Sequence, residues 1–121
     1  MNFYKKKNLG QNFLNDKKII NKIVQIGNIN RENNVIEVGP GNGALTKKII
    51  EKKPKSFVVI EKDHRLVSIL NDQFGNSIRI INEDMLRVSY ENYLKKNVII
   101  FGNLPYNIST QILVKWIKLK D

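Results

Sequence analysis

Strand-like and helix-like segments alternate along these 121 residues, which predicts an α/β fold: a parallel sheet with helices on both faces. Three features carry that expectation. Short valine- and isoleucine-rich runs recur, apolar residues between them follow helical spacing, and a glycine-rich turn sits where the first run becomes a helix. After a basic, irregular start, Ile19, Ile20, Ile23 and Ile26 share one helical face, with Asn15 or Asp16 as cap and Gly27 as stop. Asn34 to Val38 reads as a buried first strand, Gly39 to Gly43 as a turn, and Ala44 to Lys53 as a crossover helix stopped by Pro54. Phe57 to Ile60 is the second strand. A helix from His64 to Phe74 follows, turning Leu66, Ile69 and Leu70 inward, and Gly75-Asn76 closes it. Ile78 to Ile81 forms a third strand, Tyr90 to Lys95 a short helix, and Val98 to Phe101 a fourth strand. The spacing of Ile112, Trp116 and Ile117 predicts a last helix over Ser109 to Leu119, with Trp116 in the core rather than stacking on a base.

Composition narrows the chemistry. The chain has the length of one domain, without internal repeat or low-complexity linker. It has no cysteine, so a disulfide framework, a thiolate metal site and a thiol nucleophile are excluded. His64, the one histidine, has no companion ligand, and no metal site is expected. No apolar stretch approaches the roughly 18 residues that span a bilayer, and residues 1–7 lack the apolar core of a signal peptide, so a cytoplasmic protein with no membrane partner is expected. The formal charge of +10 suits a polyanionic partner such as RNA. Lysine, isoleucine and asparagine are all abundant, so biased base composition accounts for part of that charge.

The segment Glu37-Val38-Gly39-Pro40-Gly41-Asn42-Gly43 places glycines where backbone must come close to a ligand. Gly39, Gly41 and Ala44 also fit the dinucleotide fingerprint, and Glu61 lies about 20 residues further on, where an acid accepts ribose hydroxyls. That much serves NAD and S-adenosylmethionine equally. Asp84 favours the latter, because it could accept an adenine amino group while Met85 lines the ring. Gly39, Glu61, Asp84 and Asn103 each follow a predicted strand, where open parallel sheets bind ligands.

Asn103-Leu104-Pro105-Tyr106 suits methylation of an exocyclic base amine. Such a nitrogen is a poor nucleophile, since its lone pair is delocalised into the ring. Acceptance of its N–H groups by the Asn103 side-chain oxygen and the Leu104 carbonyl would favour a pyramidal nitrogen with an available lone pair. Pro105 would stiffen the loop and remove a competing donor, and Tyr106 would offer a face for an unstacked base.

Leu9-Gly-Gln-Asn-Phe-Leu-Asn15, Glu37 to Thr46, Val59-Ile-Glu61, Glu83-Asp84-Met85 and Phe101 to Thr110 together resemble the ribosomal RNA adenine N6,N6-dimethyltransferases, the KsgA and Erm types. The resemblance implies a Rossmann-like S-adenosylmethionine-dependent methyltransferase fold, with residues 1–121 as an incomplete cofactor-binding domain that stops after the fourth strand and its helix. It implies that Asn12 and Leu14 fold over the cofactor, and that Gly39, Gly41, Glu61, Asp84, Met85 and Asn103 complete its site. Gly39-Pro40-Gly41 and Leu104 look more like the KsgA type, whose substrate is small-subunit RNA in a maturing ribosomal particle. Asn42 is a mild departure. In the family's strand order, 3-2-1-4, the apolar fourth strand would be an unpaired edge here. Rival readings are a cofactor- or RNA-binding fragment without activity, an Erm-type large-subunit enzyme, a DNA adenine methyltransferase and an NAD-dependent oxidoreductase.

Overall fold

The computed structural model describes residues 3–4, 16–94, 96–105 and 110–117. Six strands form one sheet in the order β1-β6-β5-β2-β3-β4: β1 (Phe3–Tyr4), β2 (Asn34–Val38), β3 (Ser56–Ile60), β4 (Arg79–Ile81), β5 (Val98–Pro105) and β6 (Thr110–Ile117). The β5-β2-β3-β4 core is parallel, whereas β6 runs antiparallel to β5 and β1 antiparallel to β6. All five residues of β2 are buried, as a central parallel strand covered on both faces requires.

Helix α1 (Lys17–Gly27) is capped by Asp16, whose side chain accepts from the Lys18 and Ile19 amides at 2.9 and 3.3 Å. It ends in left-handed Asn28. Its buried face is Ile20, Ile23, Val24 and Gly27, and the expected Ile26 lies outward at 38% exposure. The reason is Gly27: a Cβ there would collide with the Phe101 ring, so the helix packs through its smallest residue and the buried stripe is rotated toward it. Helix α2 (Ala44–Glu51) buries Leu45, Thr46 and Ile49. Helix α3 (His64–Phe74) has the expected limits and buries Leu70, while Leu66 and Phe74 are half-buried. Ile69 does not turn inward; it is 54% exposed, one position off the Leu66-Leu70-Phe74 stripe.

All three helices pack on one face, with Val35, Phe57, Val59, Ile99 and Phe101 of the sheet. The described α-helices thus all lie on this face. Among the described residues, the opposite face (Ile36, Val38, Val58, Ile60 and Val98) is covered by Met85, Val88, Tyr90, Tyr93 and Leu94. That segment holds only a 3-10 turn at Tyr90–Asn92, where the short helix was expected. Handedness explains its position. The two crossovers through α2 and α3 extend the sheet from β2 to β4, and a right-handed return to β5 on the other side of β2 must cross the other face.

A further correction concerns the end of the chain. Residues 110–117 form β6, not a helix, so β5 is not an unpaired edge. Thr110-Gln-Ile-Leu-Val-Lys-Trp-Ile117 carries both periods, since Thr110, Ile112, Val114 and Trp116 also alternate as a strand requires. β-Branched residues opposite the apolar edge of β5 decide in favour of pairing. Trp116 is 55% exposed rather than core, and its indole N–H donates to the Gly27 carbonyl at 3.0 Å.

Candidate nucleotide and amine site

Sheet order reverses between β2 and β5, which opens a crevice at their carboxyl ends. Gly39 leaves β2 with φ +69, Gly41 and Gly43 follow with φ +56 and +85, and the Gly39 amide donates to the Ile60 carbonyl at 3.1 Å. These conformations favour glycine. A Cβ on Gly39 would stand 2.7 Å from the Asn103 backbone oxygen, so the first turn and the end of β5 are in close contact. Gly39→Ala should therefore cost about 2 kcal/mol of unfolding free energy, from left-handed strain and the forced retreat of β5. Urea denaturation measures it, and a loss below about 0.5 kcal/mol would mean that the turn relaxes freely.

Asn103 lies within β5, which continues through Leu104 and Pro105 instead of ending at Phe101. Its side-chain Oδ1 is buried and has no hydrogen-bond partner among the described residues. An unpaired buried acceptor is costly, and a bound N–H donor satisfies it. The Asn103 carbonyl faces Gly39. Successive carbonyls alternate sides along a strand, so that of Leu104 is turned toward β6, where Leu104 pairs with Gln111.

Glu61 follows β3 and is half-buried. Its amide donates to the Ile81 carbonyl at 3.0 Å, its Oε2 accepts from the Asp63 amide at 2.9 Å, and its carbonyl accepts from the Asn82 side chain at 2.9 Å. Asn82 thus ties the exits of β3 and β4 together. Asp84 turns the chain after β4, accepting from the Leu86 amide at 2.9 Å, and Met85 packs on the second apolar cluster. Tyr90 holds this turn by donating to the Met85 carbonyl at 2.8 Å. Burial, and secondarily the Asp84 charge, raise its hydroxyl above the usual range, which keeps it a donor.

Asn103 on β5, and Gly39, Glu61 and Asp84 after β2, β3 and β4, therefore stand in that order along the carboxyl edge. At about 4.8 Å per strand the row is about 14 Å long. Its acceptors suit the amino and hydroxyl donors of a nucleoside. Asn12, Leu14 and Tyr106 lie outside the described residues. Among the described residues, no cluster of His, Cys, Asp or Glu is placed to hold a metal.

One pair escaped sequence reasoning. Glu37, the fourth of five residues in β2, is 1% exposed and accepts from the Thr46 hydroxyl at 2.6 Å. Burial pushes its carboxyl up to about 7, with the Thr46 hydrogen bond opposing. The pair ties β2 to α2 beneath the glycine turn. A glutamate inside the apolar run Asn34-Val-Ile-Glu-Val38 was the available signal.

The family model described as "Ribosomal RNA adenine dimethylase" matches residues 2–121. The chain belongs to this family. Within the dimethylase family it is 51% identical over 112 residues to ribosomal RNA small subunit methyltransferase A of Pelagibacter ubique, covering 93% of this chain and 42% of that protein. The Mycoplasma capricolum protein of the same name is 40% identical, with 96% of this chain and 45% of that protein covered. The chain thus spans less than half the length of these relatives. Among solved structures, the 23S rRNA methyltransferase ErmE superposes with TM-score 0.67 at 26% identity, over 77% of this chain and 37% of ErmE. A dimethyladenosine transferase from Plasmodium falciparum gives 0.65 at 28% identity, over 78% and 34%. These likenesses agree with the mostly parallel, helix-covered sheet of the dimethylase family.

Proposed function

We propose that residues 1–121 are the S-adenosylmethionine-binding part of an enzyme that dimethylates the N6 amine of adenines in small-subunit ribosomal RNA. The buried Asn103 Oδ1, without a hydrogen-bond partner among the described residues, carries this reading, because it is an acceptor awaiting an N–H donor on the residue whose backbone meets Gly39 at the switch point of the sheet. The order along the edge supports it. Asp84 and Met85 would take the cofactor's adenine, Glu61 its ribose, and the turn at Gly39 and Gly41 its amino-acid end, with Asn12 and Leu14 closing over it. Bound there, S-adenosylmethionine supplies a methyl group already activated by its sulfonium charge.

The protein's own task is then alignment more than acid-base catalysis. Asn103 Oδ1 accepts one N–H of the target amine and turns its lone pair toward the methyl. The Leu104 carbonyl, directed at β6, serves as the second acceptor only where that end of the ladder opens to the base. Pro105 would stiffen this end of β5, and Tyr106 would stack on the extruded adenine. A monomethyl amine keeps one N–H for Asn103 and the dimethyl product keeps none, which favours release after the second transfer.

The substrate would be a maturing small-subunit particle in the cytoplasm. The small-subunit assignment is supported by the identity to the Pelagibacter protein, well above that to ErmE. The test is transfer of radiolabelled methyl from S-adenosylmethionine to immature small-subunit particles by the full-length protein. Two methyl groups per target adenine are expected, and label on large-subunit RNA instead would reverse the choice of substrate.

A further inference from the structure

The opposite end of the sheet carries a second row. Two adjoining clefts lie at the amino ends of β5, β2, β3 and β4, one of about 700 Å³ and one of about 440 Å³, and they share Lys55. The larger presents Arg31, Lys55 and Lys96, with Glu32 as its one acid. The smaller presents Lys53, Lys55 and Arg79 and no acid.

The row is built, not merely charged. Asn34 donates its side-chain amide to the Lys96 carbonyl at 2.8 Å and accepts from the Ser56 hydroxyl at 2.6 Å, which fixes the starts of β5, β2 and β3 against one another. The Lys55 amide donates to the Asn33 carbonyl at 2.8 Å. Lys53 holds φ +53 and Asn97 φ +56, left-handed conformations in turns that line the clefts. For a lysine that conformation costs about 1 kcal/mol, which glycine would avoid. Arg79 lies over the Tyr93 ring at 5.4 Å, which orients its guanidinium. Four strand starts at about 4.8 Å spacing give a basic row of about 14 Å.

We propose that this amino-terminal edge is a second RNA contact, gripping the sugar-phosphate backbone on the side of the domain opposite the methyl-transfer crevice. It rests on the rRNA substrate proposed above. Arg31, Lys53, Lys55 and Arg79 against one acid among the described residues, on a fixed frame lined with neutral polar groups, match a phosphate chain. Ile50, Pro54, Phe57 and Ile78 add apolar lining to the smaller cleft alone, beneath its cations. Phosphate contacts position a substrate without reading its sequence. A helix of the same particle held at this edge would set the orientation in which the target loop meets Asn103.

The experiment compares the full-length protein with Lys53→Gln/Lys55→Gln and with a charge-matched control on α1, Lys18→Gln/Lys22→Gln, both of whose sites are exposed. Binding to immature small-subunit particles is measured across a salt series, with S-adenosylmethionine affinity and the thermal midpoint as controls on folding. The cleft variant should bind about 10-fold more weakly near 0.15 M salt, with the slope of log K against log salt shallower by about 1.5. The α1 variant should stay within about 2-fold of the parent, and neither should alter cofactor affinity. An unchanged slope in the cleft variant, or an equal loss in the α1 variant, overturns the inference. So does a cleft variant that binds RNA normally but loses binding to phosphatidylserine vesicles. Those outcomes leave the methyltransferase reading intact if the parent still methylates. A parent that shows no salt-dependent binding to the particles removes both.

Discussion

Asn103→Ala should lower methyl transfer by about 100-fold or more, roughly 2.7 kcal/mol of transition-state stabilisation, while S-adenosylmethionine affinity changes by less than about 3-fold. The split follows from the state of its acceptor. Oδ1 is buried and has no hydrogen-bond partner among the described residues, so on the proposed reading alanine removes a group that would contribute to the reaction and not to the resting fold. The same fact fixes the sign on stability. Deleting an unsatisfied buried acceptor is neutral or stabilising, so the variant should unfold at the same or higher urea concentration even as activity falls. Single-turnover assays with cofactor titration read both halves. Unchanged turnover would remove the role given to Asn103, and a stability loss above about 1 kcal/mol would reveal a structural partner for its side chain.

The second large effect is on pH and stability, through Glu37. Its carboxyl is pushed from 4.5 up to about 7 by burial, so the folded chain binds this proton more tightly than the unfolded chain does. The sign follows directly. Below the unfolded value of 4.5 the contribution is fully present; it is lost as pH rises from there to about 7, and stays absent above. At about 1.36 kcal/mol per pKa unit the full change is about 3 kcal/mol. Glu37→Gln keeps the shape and cannot ionise, so its stability should run level through that window while the parent's falls. The variant should be more stable than the parent by up to about 3 kcal/mol at pH 8 relative to pH 4.5, read from urea midpoints across pH. Parallel curves for the two proteins would mean that Glu37 titrates normally. The Thr46 hydroxyl, which donates to the carboxylate, acts in the opposite direction and reduces the effect.

Much of the frame could be read from residues because local and tertiary preferences agree. Helix α3 begins at His64 behind its Asp63 cap and stops where Gly75 takes φ +53; the periodicity and the stop signal mark the same limits. The spacing from Gly39 to Glu61 to Asp84 was legible because each residue leaves a strand of the parallel core. What failed depended on partners distant in sequence. Ile26 looked like core until Gly27 met Phe101, since a pattern of apolar residues is blind to a glycine at the centre of a packing face. Residues 110–117 satisfy two periodicities, and only the open edge of β5 chooses between them. Placing the segment after β4 on the other face needed the handedness of the return to β5, which no local signal contains. Asn103 was expected in a loop and lies in a strand, because β6 extends the pairing of β5 past the end of β2.

Trp116 gives the protein a built-in optical probe. It is the one tryptophan in the chain, half-exposed, with its indole N–H held by the Gly27 carbonyl where α1 ends. Every photon emitted by indole in this chain comes from that junction, so emission wavelength and anisotropy report whether β6 is seated against α1. The strand that pairs with Asn103 and Leu104 can thus be followed in real time, without a label, as a base enters.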